Sequence, residues 1–164
     1  MKITIINTGG TFNKRYNPIK GMLEVPSDHI ALNKIIRSCH NVEFEIHNII
    51  SKDSLDIDDN DREIIVDVIN QTKNEKIIII HGTDTIDITS AFLKKKILNK
   101  TIVFTGAMVP LSIDEAEATM NFSLSLGFLS ANCANGVYLA MHGIVLDSEK
   151  LFKDKSKGKF LIKE

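Results

Sequence analysis

The feature that most constrains this chain is a recurrence of short Ile- and Val-rich runs spaced by longer amphipathic patterns. The runs cover Lys2 to Ile6, Val42 to Ile49, Lys76 to Ile80, Thr101 to Thr105 and Gly136 to Met141. Between them, a segment opening at Ser27, the expected N-cap, places Ile30, Leu32, Ile35 and Ile36 on one side of a helix. A second helix is expected from the acidic cluster Asp58, Asp59 and Asp61 through Ile64, Ile65, Val68 and Ile69, because carboxylates suit a helix N-terminus. A third follows Asp84 to about Leu98, and a fourth runs from about Asp114 to Leu129. Strands separated by helices predict βαβ units, hence a mostly parallel sheet covered on both faces: a Rossmann-like three-layer α/β sandwich. Ile77 to Ile80 and Ile102 to Phe104 are apolar without alternation, as buried central strands require.

The length of 164 residues fits one domain with a sizeable core. A formal charge of -1 supplies no overall field for nucleic acid or an anionic membrane, so the expected partner is a small molecule or another protein. The opening MKITIINTGG is too brief for a signal-peptide core, and no run approaches the ~20 apolar residues of a membrane span. Cys39 and Cys133 form no CxxC spacing, which argues against a disulfide framework or zinc ribbon and for a reduced, cytoplasmic setting. His29, His40, His47 and His142 lack metal-ligand spacing, and His81 reads as a packed strand-end residue, so no metal or cofactor is expected. Cys39 and His40 are expected to adjoin on a helix, where neighbours do not face each other. The lysine-rich end KDKSKGKFLIKE, from Lys153, reads as a solvated tail, with an interaction arm as the alternative.

Ligands of open parallel sheets gather beyond the C-terminal strand ends, so the turns there carry the chemistry. They read NTGGTF, HGTDT and TGAMVP. Neither GxGxxG nor GxxxxGK[ST] can be laid on Gly9 and Gly10, which disfavours a phosphate cradle. Acyl chemistry fits better: Thr11 and Thr83 offer hydroxyls, and Asp84 offers a carboxylate to orient a lysine or hold a substrate ammonium. A threonine attacks only once its proton is drawn off, for which Tyr16 and the C-terminal lysines are candidates, while glycine-turn N–H groups suit an oxyanion. Thr83 and Asp84 also read as helix-capping residues, and the two roles are compatible.

In this order and spacing, TGGTF, HGTDT and TGAMVP resemble the bacterial-type L-asparaginase/glutaminase family of threonine amidohydrolases, over essentially the whole chain. The resemblance implies the N-terminal domain of the asparaginase fold. It implies that Thr11 attacks a side-chain amide, giving an acyl-enzyme and ammonia, with Gly10 and Gly82 beside the substrate. The segment RYNPIKG makes Tyr16 the matching assistant on a shortened lid. Thr83 and Asp84 pair with Lys153, which the family pattern finds in VLDSEKLFK, and IISKDS makes Ser51 the ligand of the substrate carboxylate. Lys52 stands where a glutamine or serine is usual, and a cation there repels an α-ammonium. Val109 replaces a common arginine, and DEAEATMN keeps only Asn121 of the family's next motif.

Family members carry a second, smaller domain, and the expectation is that residues 1–164 are the N-terminal-type domain alone, with the C-terminal one absent. An exposed face then favours self-association into a dimer or tetramer. The leading expectation is hydrolysis of a small, asparagine-like amide, with activity weak or partner-dependent. The alternative is a non-catalytic amino-acid or carboxylate binding module, or a partner subunit.

Overall fold

Continuous β-branched runs bury both faces of a strand, and the chain uses them to build the middle of one sheet. A computed structural model describes residues 1–131 and 133–163. In chain order the elements are β1 (Lys2–Gly9), β2 (Arg15–Asn17), β3 (Met22–Glu24), α1 (Ile30–Ile36), β4 (Glu43–Lys52), α2 (Asp59–Gln71), β5 (Lys76–Ile80), α3 (Ile86–Lys94), β6 (Thr101–Thr105), α4 (Glu115–Ser130), β7 (Gly136–Met141), β8 (Ile144–Asp147), β9 (Leu151–Asp154) and β10 (Lys159–Ile162). The main sheet has the order β4-β1-β5-β6-β7-β8. Its first five strands are parallel, and β8 turns back antiparallel on β7.

The core divides into two layers, as the sandwich expectation requires. On one face Ile6, Ile77, Ile79, Ile102, Phe104 and Leu139 meet Ile65 and Ile69 of α2 and Ile86 and Leu93 of α3. On the other, Ile3, Ile5, Ile78, Ile80, Val103 and Ala140 meet Leu32 and Ile35 of α1 and Phe122 and Leu129 of α4. Successive residues of β5 thus serve opposite layers, which is why the isoleucine run shows no alternation. Each such side chain contributes about 1.5–3 kcal/mol through burial.

Four sequence expectations are corrected. Ser27 is not the cap of α1: the carboxylate of Asp28 accepts the Ile30 N–H at 3.0 Å, fixed there by two bonds from Arg15. The third helix ends at Lys94, where Lys96 and Ile97 both donate to the Leu93 carbonyl and turn the chain out. Cys39 lies in the turn past α1, outside the helix. The lysine-rich end is no solvated tail: β9 and β10 form a hairpin, with Leu151 and Phe160 in the core and the lysines of its turn exposed. Among the described residues, no helix is long and apolar enough to cross a membrane, no acidic, His or Cys cluster could hold a metal, and both cysteines are free thiols.

Candidate active site

The turns after β1 and β5 touch backbone to backbone. Gly10 adopts φ 72°, and a Cβ there would lie 2.5 Å from the Cα and N of Gly82. A Cβ at Gly82 would in turn meet the Cβ of Ser54 at 2.6 Å. Only glycines allow this approach, and it puts Thr11 and Thr83 each one residue from the contact. Thr11 opens a short 3-10 turn, half-buried, above the buried Phe12 and Asn13. Among the described residues its hydroxyl has no hydrogen-bond partner in the protein.

Lys153, on β9, reaches the same place. Its Nζ donates to Thr83 Oγ1 at 2.8 Å and to Asp84 Oδ1 at 2.8 Å. The lysine side chain is 14% exposed and the aspartate 32%, so the pair sits at the rim of the turn with one side open. An ammonium bonded to the threonine oxygen stabilises charge there, and it leaves the Thr83 hydroxyl proton free to point elsewhere.

Ser54 is the residue that sequence reading missed. Its hydroxyl accepts the Asp84 N–H at 3.2 Å and its carbonyl accepts the Thr85 hydroxyl at 2.7 Å. It is buried at the start of a 3-10 turn, Ser54–Asp56, capped by Asp53. The signal was present in the same IISKDS stretch. The strand runs on to Lys52, so Ser51 still belongs to β4, exposed, and the first serine beyond the strand is Ser54.

Ser51 and Lys52 instead line an open cleft of about 590 Å³ with Lys14, Met22, Leu23 and Asp53, under the β2–β3 hairpin. The Lys52 ammonium is not free to face a substrate amine. It bonds both carboxylate oxygens of Asp61, at 2.8 and 2.7 Å, and this hydrogen bonding raises its pKa above the usual lysine value. Burial works against the Asp61 carboxylate, yet Lys52 and the Asp58 backbone N–H outweigh it and hold the carboxyl below its usual range. Tyr16 is 64% exposed on β2, opposite Leu23, and lines a separate small depression with Pro18 and Pro26. The structure brings it to none of Thr83, Asp84 or Lys153 by a hydrogen bond.

His81 is packed as expected, edge-on to Phe104. Its Nδ1 lies 2.8 Å from the Gly82 carbonyl, an acceptor only, so Nδ1 carries the proton. Desolvation by burial lowers its pKa to about 4, which keeps the ring neutral. The TGAMVP turn is held from α4. The Glu117 carboxylate accepts the N–H groups of Met108 and Val109 and meets His142 Nε2 at 3.1 Å. Asn121 donates to the Gly106 carbonyl and accepts the His142 N–H. Both α4 residues therefore act on the backbone of the turn.

The family model described as asparaginase, N-terminal, matches residues 2–159. An L-asparaginase of Thermococcus kodakarensis is 28% identical over 162 residues, covering 96% of this chain and 49% of that protein. A glutamyl-tRNA(Gln) amidotransferase subunit of Pyrococcus furiosus is 29% identical over 156 residues, covering 89% of this chain and 34% of that one. The solved structure of the thermostable Thermococcus kodakarensis L-asparaginase superimposes with a TM-score of 0.87 at 27% identity, over 99% of this chain and 51% of that chain. The chain thus spans about half the length of one curated relative and a third of the other. On the match over residues 2–159, the chain belongs to the asparaginase family and corresponds to its N-terminal domain.

Proposed function

We propose that this chain hydrolyses a small, asparagine-like amide with Thr11 as the nucleophile. The observation that supports the reading is the Lys153 ammonium bonded to both Thr83 and Asp84, next to the contact of Gly10 with Gly82. In the proposed reaction Thr11 Oγ forms a bond to the amide carbon as its proton is taken up by a nearby base. The tetrahedral oxyanion collapses, the C–N bond breaks, and nitrogen leaves as ammonia once protonated. Water, positioned by Thr83, then adds to the Thr11 ester and releases the acid. Asp84 holds Lys153 and is available to the substrate ammonium, and Ser51 or Ser54 serves the substrate carboxylate, with the buried Ser54 the better placed. Tyr16 assists only if the β2–β3 hairpin moves.

Efficient acyl transfer favours a site that excludes water. Thr11 is half-buried and Asp84 a third exposed, so the reading includes a further wall supplied from outside residues 1–164. A second copy in a dimer or tetramer is one source. The likeness to a protein named as an amidotransferase subunit supports a separate partner chain as another.

The test is ammonia release from asparagine, glutamine and simple amides, with aspartate binding measured in parallel. Thr11→Ala is expected to lose turnover by on the order of 10⁴-fold while it still binds aspartate. Aspartate binding without turnover in the parent would instead favour a binding module.

A further inference from the structure

We infer that Asn7 and Asn13 form a buried amide clamp that fixes the backbone carrying Thr11, which makes both of them positioning residues. This rests on the reading of Thr11 as nucleophile. Asn7 is 3% exposed and Asn13 1%, and their side chains bond each other in both directions. Asn13 Nδ2 donates to Asn7 Oδ1 at 2.8 Å, and Asn7 Nδ2 donates to Asn13 Oδ1 at 3.2 Å. The remaining hydrogens are also used. Asn13 Nδ2 reaches the Gly9 carbonyl at 2.7 Å, and Asn7 Nδ2 reaches Asn48 Oδ1 on β4 at 3.1 Å. The Gly9 N–H closes the ring onto Asn7 Oδ1 at 3.3 Å.

The segment bridged by these bonds runs from Gly9 to Asn13, with Thr11 at its middle. Left alone it would be the loosest part of the turn, because Gly9 and Gly10 hold φ 106° and 72° with no side chains to pack. A nucleophile must nevertheless stay within a fraction of an ångström of its line of attack. Apolar residues at positions 7 and 13 would fill the space, but they could not grip the N–H and carbonyl of Gly9. Two buried amides are costly unless every hydrogen finds an acceptor, and here each does. Through Asn48 the clamp also ties the turn to β4, the strand that leads to Ser54. The clamp therefore sets the distance between the attacking hydroxyl and the loop that receives the other end of the substrate.

The test compares the parent with Asn13→Ala and with the double variant Asn7→Ala/Asn13→Ala. The single variant leaves one Asn7 amide hydrogen and the Gly9 carbonyl without their Asn13 partners, and the double also removes the Asn7 acceptor of the buried Gly9 N–H, so both melting temperatures should fall below the parent's. If the clamp positions Thr11, kcat on asparagine falls by about 100-fold in both variants. Aspartate binding holds, and deuterium uptake rises in the peptide spanning Gly9 to Asn13. If kcat instead stays within about twofold of the parent at a temperature where both variants remain folded, the pair is merely structural and the inference falls. Should the parent release no ammonia at all, the amidohydrolase reading fails on its own. Exchange then decides the clamp: raised uptake confined to Gly9–Asn13 supports it, and unchanged uptake overturns it.

Discussion

At the scale of single residues, His81 makes the sharpest claim on solution behaviour. Its folded pKa of about 4 lies below the usual 6.5, so the unfolded chain binds the proton more readily. The stability that neutral His81 permits is fully present above pH 6.5 and is lost as pH falls toward 4. The loss approaches about 3 kcal/mol at the lower end. Urea unfolding at pH values between 7 and 4 should therefore show a steeper decline for the parent than for His81→Gln, whose amide can still donate to the Gly82 carbonyl without titrating. Equal slopes would mean that the ring is not buried in its neutral form. That Thr83, Asp84 and Lys153 would meet was legible through the family resemblance of the motifs that carry them, and the structure joins them at 2.8 Å. Ser54 was not, since its role depends on where β4 ends, and strand ends are poorly marked by composition. The partner that neutralises Lys52 was hidden for a similar reason: Asp61 owes its place to the capping box that starts α2.

Elements show the same division. The central strands and the helices between them were readable, because continuous apolar runs and a 3.6-residue period each report burial directly. The short hairpins were not: β2 and β3 have three residues each, too few for a period. In β9 and β10 the surrounding lysines mask a pattern in which Phe160 alone of its strand is buried. Phe160 is the register partner of Lys153, and its ring packs edge-on against His142 at 5.6 Å. It therefore anchors the strand that delivers the lysine to Thr83. Phe160→Ala should cost about 3–5 kcal/mol of hairpin and core packing. It should also raise exchange across Leu151–Asp154 and depress turnover at temperatures where the rest of the chain stays folded. Unchanged exchange in β9 would show that the hairpin is held by something other than this residue.

For the whole molecule, the sandwich places four strands, β4, β1, β5 and β6, side by side with their C-terminal ends together. That arrangement brings the turns after β1, β5 and β4 together, and Lys153 joins them from β9 outside the main sheet, a grouping that no single motif predicts alone. The near-neutral charge leaves chemistry at those ends, and not a long-range field, to select the ligand. The proposed reaction depends on a covalent bond at Thr11. The most direct test is a single-turnover reaction with asparagine, quenched in acid and followed by mass spectrometry of the peptide containing Thr11. The expected result is an acyl ester on Thr11, formed with the release of ammonia and missing from Thr11→Ala. Ammonia release that persists in Thr11→Ala, with no adduct on the parent, would contradict it.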